Sequence, residues 1–142
     1  MATRVSFASS TGPQLAGLVD EPEGEVRGWG VFVHGFTLGK DSPAAARVSK
    51  QLAREGIGML RFDALGLVDS AGEWGDGSFT VKVADTQQAV AFMAERGTPA
   101  SLLVGHSWGG AAAIAAASDG APVSSIASIA APVDPGHAEH QY

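Results

Sequence analysis

Leu102-Leu103-Val104-Gly105-His106-Ser107-Trp108-Gly109-Gly110 is the stretch on which the reading of this chain turns. Three apolar residues suited to a short buried strand run into Gly-His-Ser-Trp-Gly, and Gly110 leads into the alanine-rich run Ala111 to Ala117, which reads as a helix. A G-x-S-x-G pentapeptide between a strand and a helix is a turn so tight that its serine takes strained backbone geometry. Strand and helix crowd each other there, and a Cβ at position 105 or 109 would collide. Ser107 then stands at the carboxyl end of the strand with its hydroxyl free and the first helix amides pointing the same way. The pentapeptide alone recurs by chance in a chain with 19 glycines, so its specificity comes from the strand before it and the helix after it. The competing reading is a tight turn around an ordinary serine.

Working outward, the same alternation of strand and helix signals continues. Upstream, Thr80 to Arg96 is expected to form a helix with Val83, Thr86, Val90 and Met93 on one face and Gly97 past its end. Before it, Ile57 to Phe62 reads as a strand closed by Asp63, followed by a glycine-rich loop over Ala64 to Ser78. Ala45, Val48 and Leu52 repeat at helical spacing, with Asp41 or Ser42 as the cap, Pro43 in the first turn and Gly56 at the end. Gly28 to His34 is apolar enough for a central strand buried on both faces. Thr3 to Ala8 and Gln14 to Val19 alternate around Ser10-Thr11-Gly12-Pro13 as an antiparallel hairpin, and Asp20 to Glu25 reads as a solvated acidic turn. Downstream, the alanine helix is expected to be the most buried of the helices, and Val123 to Ala130 reads as a last strand. Strands alternating with helices imply parallel βαβ crossovers, and nothing in the chain divides it into two domains.

The totals bound the function. At 142 residues the chain is expected to be one domain with a real core. A formal charge of −6 argues against nucleic acid or an anionic membrane as partner, because either would require clustered Lys and Arg. Zero cysteines exclude a disulfide framework, a thiol nucleophile and a thiolate metal site. The N-terminus enters alternating residues with no apolar signal core, and no run approaches the roughly 20 apolar residues that cross a bilayer. A cytoplasmic protein is expected.

With His34-Gly35-Phe36 after the third strand, Arg61-Phe62-Asp63 after the fourth and Gly105-His106-Ser107-Trp108-Gly109 after the fifth, the whole chain resembles an α/β-hydrolase. The wording HGFTLGKDSPAAARVSKQLAREGIGMLRFDALG, with AAPVDPGH near the end, is similar to hydrolase modules fused elsewhere to an OsmC-like domain. The resemblance implies a mostly parallel, doubly wound sheet that lacks the family's last strands, so that residues 1–142 form a single, C-terminally truncated domain. Val68 stands where a glycine is common in the family's loop after Asp63. Family members carry two further strands, the acid and the catalytic histidine beyond the position of Tyr142.

The resemblance also implies a mechanism. Ser107 attacks an acyl carbonyl, a histidine takes its proton, an acid orients that histidine, and the backbone N–H groups of Phe36 and Trp108 hold the oxyanion. Neither oxyanion residue contributes its side chain, so their rings line an acyl pocket or fill core. Of the four histidines, His34 is expected to pin the oxyanion turn through its ring. His106 should leave the turn in another direction than Ser107. Asp134 and His137 follow the last strand and would complete a triad with Ser107; the residues favour a Pro-flanked loop with exposed histidines instead. Asp63 is expected to cap an element or order a loop, and Asp69, Glu73 and Asp76 to be solvated loop acids. His137 and His140 lack an evident third ligand, so no metal is expected, and no cofactor is expected either.

These residues make the chain a candidate serine hydrolase for a small acyl substrate, an ester, thioester or amide. Two alternatives stay open. The chain is a non-catalytic remnant that binds or assembles through its last strand as a homo-oligomer, or it is one half of a split hydrolase awaiting a complementing C-terminal fragment.

Overall fold

The computed structural model describes residues 2–34, 40–63, 79–106 and 108–129. Along the chain run β1 (Ala2–Ala8), β2 (Gln14–Asp20), β3 (Gly28–Val33), α1 (Pro43–Arg54), β4 (Ile57–Phe62), α2 (Phe79–Glu95), β5 (Leu102–His106), α3 (Trp108–Ser118) and β6 (Ser125–Ile129). The six strands form one sheet in the order β1-β2-β4-β3-β5-β6. β1 pairs with β2 and β2 with β4 antiparallel, while β3 with β4, β3 with β5 and β5 with β6 are parallel. This is the mostly parallel α/β sheet that the alternation of elements predicts.

Period-two alternation sorts the strand residues onto two faces. Val31, Val33, Leu60, Phe62 and Leu103 meet Val83, Val90 and Met93 of α2 and Ala112, Ala113 and Ala116 of α3 in the larger core. Phe32, Met59 and Val104 point the other way, toward Ala45 of α1. Helices therefore cover both faces, and the central strand β3 is buried on each side.

α1 begins where Ser42 accepts a hydrogen bond from the Ala45 amide at 3.4 Å with Pro43 in the first turn, so Ser42 and not Asp41 is the cap. Its end is steric as well as conformational: Gly56 has a φ of +92°, and a Cβ there would run into the Glu25 carbonyl. α3 lies against the sheet on its alanine face, yet Ile114 on its outer side is 45% exposed. β6 covers Ser125–Ile129, shorter than the expected strand, and all five of its residues are exposed.

The expected solvated turn at Asp20 to Glu25 is corrected at its first two residues. Asp20 closes β2 as a buried carboxylate bound to Arg61 Nε at 2.8 Å. Glu21 accepts from Arg96 Nη2 at 2.9 Å and from the Thr3 hydroxyl at 2.7 Å. Among the described residues no helix is long and apolar enough to cross a membrane.

Candidate active site

Because β3, β4 and β5 are parallel and adjacent, their carboxyl ends emerge at one edge of the sheet. That edge collects His34, Asp63 and His106, and α3 starts from it. In open α/β sheets this is the edge at which ligands bind.

Two glycines set the geometry of the β5–α3 junction. A Cβ at Gly105 would sit 2.5 Å from the Gly109 carbonyl oxygen and 2.6 Å from the Gly110 amide nitrogen. A Cβ at Gly109 would overlap the backbone carbonyls of Val33 and His34. The start of α3 is thus wedged against the ends of β5 and β3 at once, and only residues without side chains fit at 105 and 109. His106 is the last residue of β5 and Trp108 the first of α3. The Trp108 N–H therefore belongs to the helix-start amides that have no carbonyl one turn earlier to bond. Ser107, Phe36, Asp134 and His137 lie outside the described residues, as do Val68, Asp69, Glu73, Asp76, His140 and the Trp108 indole.

Buried charge surrounds the other strand ends. Asp63 is fully buried and accepts from the Lys40 backbone amide at 2.8 Å and from Lys40 Nζ at 2.7 Å. Lys40 also lies 3.2 Å from the Asp41 carboxylate. Arg61, itself buried, donates through Nη1 to the Lys40 carbonyl at 2.8 Å while its other nitrogens grip Asp20. Asp63 thus orders the chain at Lys40, the loop-ordering role expected of it. Such pairs are sensitive to losing one member, since the remaining charge is left in low dielectric.

His34 is 2% exposed, and its Nδ1 lies 3.4 Å from Nζ of Lys82 on α2. The ring contact is with α2; the turn that the His34 ring is expected to pin, residues 35–39, lies outside the described residues. Burial lowers the Lys82 pKa to about 7, while the nearby Asp85 and Asp63 carboxylates act to raise it. Asp85 is held in turn: it accepts from the Ser9 hydroxyl at 2.8 Å, the Ser10 amide at 2.7 Å and the Ser10 hydroxyl at 2.7 Å, tying α2 to the β1–β2 turn. His106 Nδ1 is buried with no hydrogen-bond partner among the described residues. No group of three metal-ligating side chains occurs among the described residues.

Reading the sequence missed Lys82, Asp85, Lys40 and the Asp20–Arg61 pair as buried partners. One signal was available. Lys82, Thr86, Ala89 and Met93 repeat at the spacing of the buried stripe of α2, so helical periodicity places the amine inward. The others depend on which strands become neighbours, which no local pattern shows.

Comparison with known proteins gives a consistent answer. The family model described as serine aminopeptidase, S33, matches residues 24–140. The esterase domain of a Rhodothermus marinus protein is similar at 33% identity and a TM-score of 0.76, over 99% of this chain and 54% of that one. The α/β hydrolase GrgF from Penicillium sp. sh18 superposes with a TM-score of 0.85 at 22% identity, over 94% of this chain and 47% of that one. XC6422 from Xanthomonas campestris, an α/β serine hydrolase without a lid, gives 0.80 at 22% identity, over 92% and 62% of the two chains. The chain spans about half the length of the solved structures it matches first. No curated protein matches it. With the family model covering residues 24–140, the chain belongs to the serine aminopeptidase S33 family of α/β-hydrolases.

Proposed function

We propose that the chain carries the nucleophile half of a serine hydrolase, with Ser107 attacking the carbonyl of a small ester, thioester or amide. The observation that carries this is the pair of glycines flanking Ser107, each seated where a Cβ would strike backbone of α3 or β3. An ordinary strand-to-helix loop has no need of that closeness. Membership of a hydrolase family and likeness to an esterase domain support the same chemistry. The backbone amides of Trp108 and Phe36 take the oxyanion, each donor worth about 3 kcal/mol of transition-state stabilisation. Deacylation completes the cycle when water, deprotonated by the base, attacks the acyl carbonyl and the ester bond to Ser107 Oγ breaks.

The base and acid come either from His137 with Asp134 or from a complementing C-terminal segment. The wording shared with hydrolase modules fused to OsmC-like domains makes a longer cytoplasmic enzyme the natural setting. A fluorophosphonate probe tests the assignment: Ser107 takes the label and Ser107→Ala takes none. Labelling that persists in Ser107→Ala sinks it. Labelling that appears only when a C-terminal fragment is added assigns the chain to a split enzyme, and His137→Ala then leaves it unchanged.

A second reading is favoured by one observation, the exposure of every residue of β6. In it the chain is non-catalytic and assembles through β6 with a second copy. Unlabelled Ser107 together with an oligomer in solution would select it.

A further inference from the structure

α1 lies over the middle of the sheet, packed on Phe32 of β3, Met59 of β4 and Val104 of β5. On β1, Val5 and Phe7 turn to the opposite core, so Ala2, Arg4, Ser6 and Ala8 share the face of α1, and all four are exposed. A groove runs between that helix and the β1–β2 hairpin. Two cavities mark it: one of about 370 Å³ lined by Arg4, Ala16, Leu18, Lys40 and Asp41, and one of about 310 Å³ lined by Ala2, Asp20, Glu23, Lys50, Ala53 and Arg54. Arg4 pairs with Leu18 and Ala2 with Asp20 in the β1–β2 ladder, so the two cavities lie end to end along one face.

Most carboxylates of this groove are engaged, while its outer cations are not. Asp20 is bound to Arg61, Glu21 to Arg96, and Asp41 to Lys40 and Arg61. Arg4, Lys50 and Arg54 are exposed and make no hydrogen bond or ion pair with any described residue, and Glu23 is the one groove carboxylate whose side chain is in the same condition. The unengaged charge of the groove is therefore net positive, in a chain of formal charge −6. Helix stability accounts for only part of this. Arg54 in the last turn of α1 suits the negative end of the helix dipole, but that effect fades beyond one turn and offers nothing to Lys50 or to Arg4 on a strand. The cations line a recess rather than a plane, which fits a chain segment better than a membrane.

We propose that the groove between α1 and the β1–β2 hairpin docks an acidic peptide segment of a partner protein, its carboxylates received by Arg4 at one end and by Lys50 and Arg54 at the other. Basic side chains lining a groove grip acidic motifs through charge-assisted hydrogen bonds, and arginine does so with two parallel donors. The two ends are two to four residues of extended chain apart, roughly 7–14 Å, so a segment with acids at alternate positions reaches both. The docking site is independent of the serine hydrolase reading, since none of its residues belongs to the β5–α3 junction.

The test measures, by fluorescence anisotropy at low salt, binding to the full chain of a fluorescein-labelled octapeptide that alternates glutamate with serine, against its glutamine counterpart. The glutamate peptide binds, the glutamine peptide does not, and added salt weakens the complex because exposed ion pairs are screened. Arg4→Glu, Lys50→Glu and Arg54→Glu each weaken binding about tenfold, since reversing a contacting charge replaces attraction by repulsion. Arg47→Glu, exposed on the same helix but lining neither cavity, changes the net charge by as much and weakens binding less than about twofold. In amide NMR spectra the glutamate peptide shifts Ala2, Arg4, Leu18 and Ala53, and this readout on wild type decides where a variant does not fold. Absence of glutamate-peptide binding, equal binding of the glutamine peptide, or equal losses in Arg47→Glu and Arg54→Glu overturns the proposal. So does binding to phosphatidylserine vesicles without peptide binding, which assigns the face to a lipid surface, or self-association that the same variants abolish, which assigns it to a second copy.

Discussion

Lys82 illustrates how far a buried side chain can depart from its solution chemistry. Burial lowers its pKa to about 7 from 10.5, against the pull of Asp85 and Asp63. Between those two pH values the unfolded chain binds the proton that the folded chain has released, so stability rises with pH across that window. Below about pH 7 both states are protonated and the full cost of burying the ammonium is borne. Lys82→Met removes the cost. The variant should therefore exceed wild type in urea-unfolding free energy by several kcal/mol near pH 6, with the difference shrinking steadily toward pH 10. Equal curves, or a difference that does not depend on pH, would contradict the assignment. Gly105 and Gly109 are the opposite case. Their role was legible from five residues of sequence because it is a matter of volume, and volume at a strand-to-helix turn is decided locally.

Among the elements, α2 links two distant parts of the chain through its polar side chains. Asp85 collects donors from Ser9 and Ser10 on the β1–β2 turn, and Lys82, one turn earlier, reaches the end of β3. Asp85→Ala would leave those serine donors without their carboxylate and should cost about 3 kcal/mol, given that hydrogen bonds to a charged group are each worth ~1.5–3 kcal/mol and do not add in full. Urea unfolding reads the loss, and amide exchange at Ser10 should quicken with it. A variant within about 0.5 kcal/mol of wild type, the usual range of a plain surface change, would show that α2 is held by its apolar face alone. That apolar face was foreseeable from Val83, Thr86, Val90 and Met93 at helical spacing, as was α1 from its Ser-Pro start and glycine stop. The shortness of β6 and the exposure of Ile114 were not, because both depend on what packs outside them.

Among the described residues the sheet has a well-covered middle and two edge strands, β1 and β6. On β6, Ile126 is 42% and Ile129 41% exposed. An exposed strand with apolar side chains is a template for another strand. If β6 is used for self-association, the chain should run on a sizing column as a dimer or larger at high concentration, and Ile126→Lys should shift it to monomer. Identical elution of the two proteins would rule out that use of the edge. The alternation of strand and helix, the two-sided burial of β3 and the Gly-His-Ser-Trp-Gly turn could all be read from residue order, since periodicity and close approach act between residues a few positions apart. The pairing of Asp20 with Arg61, Lys40 with Asp63 and Lys82 with His34 could not. Those partners stand between 23 and 48 residues apart, and they meet because β4 inserts between β2 and β3 and α2 packs across the strand ends. Hydrophobic patterning selects that arrangement of the sheet, and the charges are carried along with it.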